Sequence, residues 1–124
     1  MRIFKNKAFS KWAAKQGISD SALRIAVGEM ARGLFDARLG GHLYKKRVAA
    51  GGKGKSGGVR TLLAFQAGRK AFFVYGFAKN ARANIKVDEE RALKKLSTEL
   101  MGYSAGALDK AVQAGALVEV SDER

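Results

Sequence analysis

Apolar positions in the first third of the chain recur at helical spacing. Ala8, Phe9, Trp12 and Ala13 predict a short helix capped by Asn6 and ending near Gly17. Ser19 and Asp20 offer a second cap, after which Leu23, Val27, Met30 and Leu34 recur at steps of four, three and four to form one apolar stripe. Phe9 and Trp12 are expected to pack on that stripe or on the sheet that follows, and Gly40-Gly41 to end the helical region.

The period then shortens. His42–Ala49 alternates imperfectly, with Leu43 between polar neighbours and Tyr44 beside Lys45, Lys46 and Arg47, and predicts a strand. Ala50–Ser56 is a loop rich in glycine and lysine; Gly57-Gly58 leads into a second strand, Val59–Gln66. Ala67-Gly68-Arg69-Lys70 predicts a hairpin turn with Gly68 at positive φ. Ala71–Ala78 is apolar on both faces, which predicts a central strand of an antiparallel meander.

Helical spacing returns at Asp88, a candidate cap, with Asp88, Glu89 and Glu90 suited to a helix N-terminus and Glu90 four residues before Lys94. Ala92, Leu93, Leu96 and Leu100 form the expected buried face, and Gly102 the stop. Ser104 caps a further helix over Ala105–Gln113, ended by Gly115, and Leu117–Val120 predicts a closing strand. The order defines a single α+β domain over residues 1–124, with N-terminal helices packed on a curved antiparallel sheet and helices again at the C-terminal end.

Charge changes this picture more than composition does. Ala37–Val87 holds twelve Lys and Arg and no acid, while the rest of the chain is almost balanced, so this stretch supplies nearly all of the net +13. A solvated face normally mixes both signs; one sign laid over strands points to a polyanion site. The chain has no cysteine, which excludes disulfides, thiolate nucleophiles and cysteine-bound zinc and fits a reducing cytosol. Its N-terminus lacks a signal-like apolar run, and its longest apolar stretch, eight residues, is too short to cross a membrane. A cytoplasmic location with no membrane partner is expected.

Gly54-Lys55-Ser56 looks like the tail of a phosphate-binding loop, but Ala49 stands where its first glycine belongs, and Gly57-Gly58 and a strand follow instead of a helix. His42, the sole histidine, cannot form a His–His pair and reads as a surface or packing residue. Without carboxylates in the basic stretch, two-metal phosphodiester chemistry has no ligands there, so no metal or other cofactor is expected. What remains is cationic: Lys45, Lys46, Arg47, Lys53, Lys55, Arg60, Lys79, Arg82 and Lys86, with Asn80 among them. Tyr44, Tyr75 and Phe77 offer rings for base stacking, although Phe72, Phe73 and Phe77 read better as core. Cations suffice for RNA cleavage, because the ribose 2′-hydroxyl is itself the nucleophile. The enzyme must move protons and stabilise a phosphorane, to which arginine is suited.

Lys55-Ser56-Gly57-Gly58-Val59-Arg60-Thr61-Leu62-Leu63-Ala64-Phe65, followed by Phe72-Phe73-Val74-Tyr75-Gly76-Phe77-Ala78-Lys79-Asn80, resembles the RelE-like toxins of bacterial type II toxin–antitoxin pairs, within the RelE/ParE superfamily and close to its HigB-like branch. The resemblance extends upstream through Gly40–Arg47. It implies a RelE-like fold, an mRNA endonuclease (mRNA interferase) acting in the ribosomal decoding site, and a cognate antitoxin, expected to carry a helix-turn-helix DNA-binding domain. By the resemblance, Arg60 matches the arginine that contacts the scissile phosphate, Lys55 and Lys53 the basic residues ahead of that strand, and Lys79 and Arg82 the cluster after the third strand.

Arg60, Lys79 and Lys55 are therefore the expected catalytic set, and Lys45, Lys46, Arg47, Lys53, Arg82, Lys86, Asn80 and Tyr75 the expected RNA-binding set. The match is incomplete. Asn84-Ile85-Lys86 stands where some members have a catalytic tyrosine, no histidine replaces it, and Asn80 stands where an arginine occurs in others. The alternative is a non-catalytic toxin of the ParE type acting on DNA gyrase, or a simple nucleic-acid-binding module.

Overall fold

The computed structural model describes residues 1–51 and 58–121. The chain runs β1 (Arg2–Asn6), α1 (Lys7–Gln16), α2 (Asp20–Ala31), β2 (Ala37–Gly40), β3 (Leu43–Val48), β4 (Val59–Gln66), β5 (Lys70–Ala78), α3 (Val87–Met101), α4 (Ala105–Gln113) and β6 (Leu117–Glu119). The strands form one sheet in the order β2-β3-β4-β5-β1-β6.

The α+β class and the β3-β4-β5 meander match the expectation. The sheet is mixed rather than antiparallel, because β1 lies parallel to β5, with Ile3 opposite Ala71 and Phe4 opposite Phe72. β1 was not anticipated. Five residues show no usable alternation, and Ile3 and Phe4, adjacent in sequence, are both buried because they enter the cores on opposite sides of the sheet.

Asn6 ends β1 and caps α1, its Oδ1 accepting from the Phe9 amide at 2.8 Å while its Nδ2 donates to the Val74 carbonyl at 3.0 Å. Ser19 caps α2 by accepting from the Ala22 amide at 3.1 Å. The stripe Leu23, Val27 and Met30 is buried, but Leu34 is not part of it. Gly33, at φ +81°, closes α2 with bonds from its own amide to Met30 and from the Leu34 amide to Glu29, so the chain leaves the helix before Leu34 can continue the face. The helical region therefore ends there, not at Gly40-Gly41, and β2 occupies part of the difference. His42 lies exposed in the β2–β3 turn at φ +66°.

Helices α1 and α2 cover one face of the sheet, over a core that includes Phe9, Leu23, Val27, Leu63 and Phe73. Helices α3 and α4 cover the other, over Phe4, Leu43, Leu62, Phe72, Phe77, Leu100 and Leu108. Phe4 stacks on Phe72 at 5.1 Å and Phe9 on Phe73 at 5.3 Å, one pair in each core. α3 is N-capped at Lys86 rather than Asp88: the Glu89 carboxylate accepts from the Lys86 amide at 2.7 Å. Ala92, expected on its buried face, is exposed, and Ser97 is buried instead, satisfied by the Leu93 carbonyl at 2.8 Å.

Candidate nucleic-acid interface

The site depends on an irregularity in β5. Leu62 pairs with Tyr75 but Leu63 with Phe73, so Val74 is an extra residue. A bulge of this kind reverses the inward–outward parity of the strand beyond it. Before it, Phe73 faces α1; after it, Tyr75 and Phe77 face the α3 side and Gly76 faces α1, where Trp12 lies against it. An added Cβ at Gly76 would sit 2.1 Å from Trp12 Cζ3. A shallow cavity of about 440 Å³ runs along this seam, lined by Phe9, Trp12, Gly76 and Ala78 and rimmed by Arg82.

The parity change puts Tyr75 and Phe77 on the same face as Arg60. Arg60 is opposite Phe77 on β5 and opposite Arg47 on β3. Like charges facing each other across strands oppose pairing. Asp36, at the entry to β2, offsets this with an ion pair to Arg60 (Nε to Oδ2, 3.4 Å). Among the described residues Arg47 has no such ion pair, and its buried Nε has no hydrogen-bond partner. Lys45, two residues before Arg47, is on the same face opposite Leu62. Lys79 and Asn80 follow β5 in an exposed turn next to Ala78, which pairs with Val59 beside Arg60.

Arg82 closes the patch. Its Nη1 donates to the Tyr75 hydroxyl at 3.0 Å and to Glu89 at 3.1 Å, its Nη2 meets Glu89 at 2.5 Å, and its Nε donates to the Asn84 carbonyl at 3.0 Å. The guanidinium also lies 5.9 Å from the Phe77 ring centre. The bonds to Glu89, foremost, and to Tyr75 raise Arg82 further above its ordinary value. The same pair, with the Lys86 amide, lowers the Glu89 carboxyl to about 2.

Of the expected site residues, Lys45, Arg47, Arg60, Tyr75, Lys79, Asn80 and Arg82 converge on this end of the sheet. Lys86 is exposed at the start of α3, next to the same cluster. Lys46 does not join them. It points to the opposite face, 4% exposed, in an ion pair of 2.8 Å with Glu29 of α2, so its expected RNA contact is corrected to a structural one. Alternation along β3 dictates this: Lys45 and Arg47 share one face and Lys46 takes the other. Lys53 and Lys55, with the Gly54-Lys55-Ser56 motif, lie outside the described residues.

Asp36 and Glu89 were missed as parts of the site. Both lie just beyond the ends of the acid-free stretch and fold back onto its arginines. The signal available was the position of Glu89, the third residue of α3, where a carboxylate caps the helix. Among the described residues, no group of three or more His, Asp or Glu side chains is placed to hold a metal ion, and no helix is long and apolar enough to cross a membrane.

An α+β domain that gathers cations and two aromatic rings at one end of its sheet presents a surface suited to a polyanion. The sequence family described as the RelE toxin of the RelE/RelB toxin–antitoxin system matches residues 1–120, and the chain belongs to it. No curated protein gives a sequence match.

Proposed function

We propose that this toxin is a ribosome-dependent mRNA endonuclease, of the HigB-like type, that cleaves by activating the substrate's own 2′-hydroxyl without a metal ion and so inhibits translation in the cytoplasm. The observation that carries the reading is the Arg47–Arg60 pair facing each other across β3 and β4 beside Tyr75. A pairing that opposes strand association is explained if a polyanion crosses it. Arg60 stabilises the phosphorane, with Lys79 and Lys55 adding charge. Lys45, Arg47, Lys53, Asn80, Arg82 and Lys86 hold the RNA backbone, and Tyr75 lies where a base or ribose passes. The site supplies little general base of its own, so the ribosome contributes alignment, and effective concentration alone is worth several kcal/mol, up to about 7–11 kcal/mol in favourable cases. The partners are the ribosome with its mRNA and a cognate antitoxin bearing a helix-turn-helix domain.

End-group analysis of mRNA recovered from a translation reaction tests this. The upstream fragment is expected to end in a 2′,3′-cyclic phosphate or the 3′-phosphate it opens to. A 3′-hydroxyl upstream with a 5′-phosphate downstream rejects the chemistry. Intact mRNA with blocked DNA replication moves the protein to the gyrase-directed class.

A further inference from the structure

Building on the endonuclease reading, we infer that Tyr75 is the general acid of the cleavage, giving its phenolic proton to the departing 5′-oxygen, and that Arg82, clamped by Glu89, stabilises the phenolate this leaves. The strand bulge at Val74 turns Tyr75 onto the face of Arg60, its diagonal neighbour across the β4–β5 pairing. Among the described residues of the patch, Tyr75 is the one proton-bearing side chain that is neither a cation nor an amide. Its hydroxyl accepts from Arg82 Nη1 at 3.0 Å, which leaves its own hydrogen to be donated elsewhere. A phenol carries its proton at neutral pH, as an acid must, and the bond from Arg82 strengthens as negative charge develops on the oxygen.

Arg82 is not itself the acid. Its guanidinium stays charged, and Glu89, Asn84 and Tyr75 occupy four of its five N–H donors. Glu89 is a positioning residue: it takes both Nη atoms of Arg82 and also accepts from the Lys86 amide, so the guanidinium is tied to the N-terminus of α3. In the reaction, the O2′–P bond forms while the P–O5′ bond breaks. The electron pair of the broken bond goes to O5′, which takes the Tyr75 proton. The 2′-hydroxyl proton passes to water, and the phenolate regains a proton from water, so the site ends as it began.

The test uses the full chain and translating ribosomes with two mRNAs, one carrying the ordinary 5′-oxygen at the cut and one carrying a 5′-bridging sulfur, a leaving group that departs as thiolate without being protonated. Tyr75→Phe is expected to slow cleavage of the oxygen substrate by ~10²–10⁴-fold and to cut the sulfur substrate at nearly the wild-type rate. Glu89→Gln is expected to show a smaller defect with the same rescue by sulfur. Equal slowing of Tyr75→Phe on both substrates, or no slowing on either, overturns the assignment while wild-type cleavage upholds the endonuclease reading. Wild-type protein that cuts neither mRNA overturns both.

Discussion

Gly76→Ala should destabilise the protein through one contact that is visible in advance. The backbone at Gly76 is not in the left-handed region, so alanine is conformationally acceptable there. The obstacle is Trp12, whose Cζ3, Cη2 and Cε3 atoms would lie 2.1, 2.4 and 2.6 Å from the new Cβ. The ring cannot give by tenths of an ångström; it has to leave. Overpacking a site of this kind costs about 1–3 kcal/mol. The upper limit is what Trp12 itself contributes, which is below the ~3–5 kcal/mol of a fully buried aromatic because Trp12 is half-buried. We expect about 2 kcal/mol, a fall in Tm of roughly 5–12 °C for a chain of this size. Urea denaturation measures it, and Trp12, the sole tryptophan, reports its own displacement by fluorescence. The sharper test is a double-mutant cycle. In a Trp12→Ala background the clash is absent, and Gly76→Ala should be neutral or slightly stabilising. Additive costs in the cycle would refute the account. Because Gly76 separates Tyr75 from Phe77, the single variant should also lose toxicity.

Arg60→Ala should abolish growth arrest and lower any cleavage rate by ~10²–10³-fold with circular dichroism unchanged, since its ion pair with Asp36 is partly exposed and worth at most about 1 kcal/mol; a folded, fully toxic variant rejects the assignment. Neighbouring lysines should behave oppositely. Lys46→Met, which removes one side of a buried ion pair with Glu29, should cost about 1–3 kcal/mol, whereas Lys45→Met should stay within about 0.5 kcal/mol and weaken RNA binding; chemical denaturation and binding assays separate the two. Glu89 gives a pH dependence whose sign follows from its depressed carboxyl, about 2 against an ordinary 4.5. The stabilisation it supplies is complete above 4.5 and disappears as pH falls towards 2, and an acid titration of Glu89→Gln should lack that component.

Much of the fold was readable because most elements announce themselves locally. Asn6, Ser19 and Ser104 cap the helices expected of them, and Gly68 takes the positive φ its turn requires. What escaped was set by tertiary partners. β1 is a strand because β5 and β6 are there to pair with it, not because five residues prefer extension. Leu34 keeps the spacing of the α2 stripe, but the carbonyls of Glu29 and Met30 are taken by the closing turn at Gly33. Ala71–Ala78 is apolar on both faces, so no break in alternation could reveal the bulge at Val74. Yet that bulge decides which side of the sheet Tyr75 occupies.

The charge pattern was legible in amount and misleading in detail. Counting located the basic stretch, but a count along the chain treats the stretch as uncompensated. Among the described residues three of its cations recover acids from outside it: Lys46 from Glu29, Arg60 from Asp36 and Arg82 from Glu89. The three pairs differ in what they do. The Lys46 pair is buried on the helix side and holds α2 to β3. The Arg82 pair fixes a guanidinium on Tyr75. The Arg60 pair is the longest and loosest of the three, at 3.4 Å, and it relieves the repulsion from Arg47. A phosphate arriving between Arg47 and Arg60 would satisfy both arginines, where Asp36 satisfies only one. Of the cations left without ion pairs among the described residues, Lys45, Arg47, Lys79 and Lys86 surround that point. An acid-free sequence therefore matters less for its total charge than for where the fold withholds compensation, and it does so around Arg60.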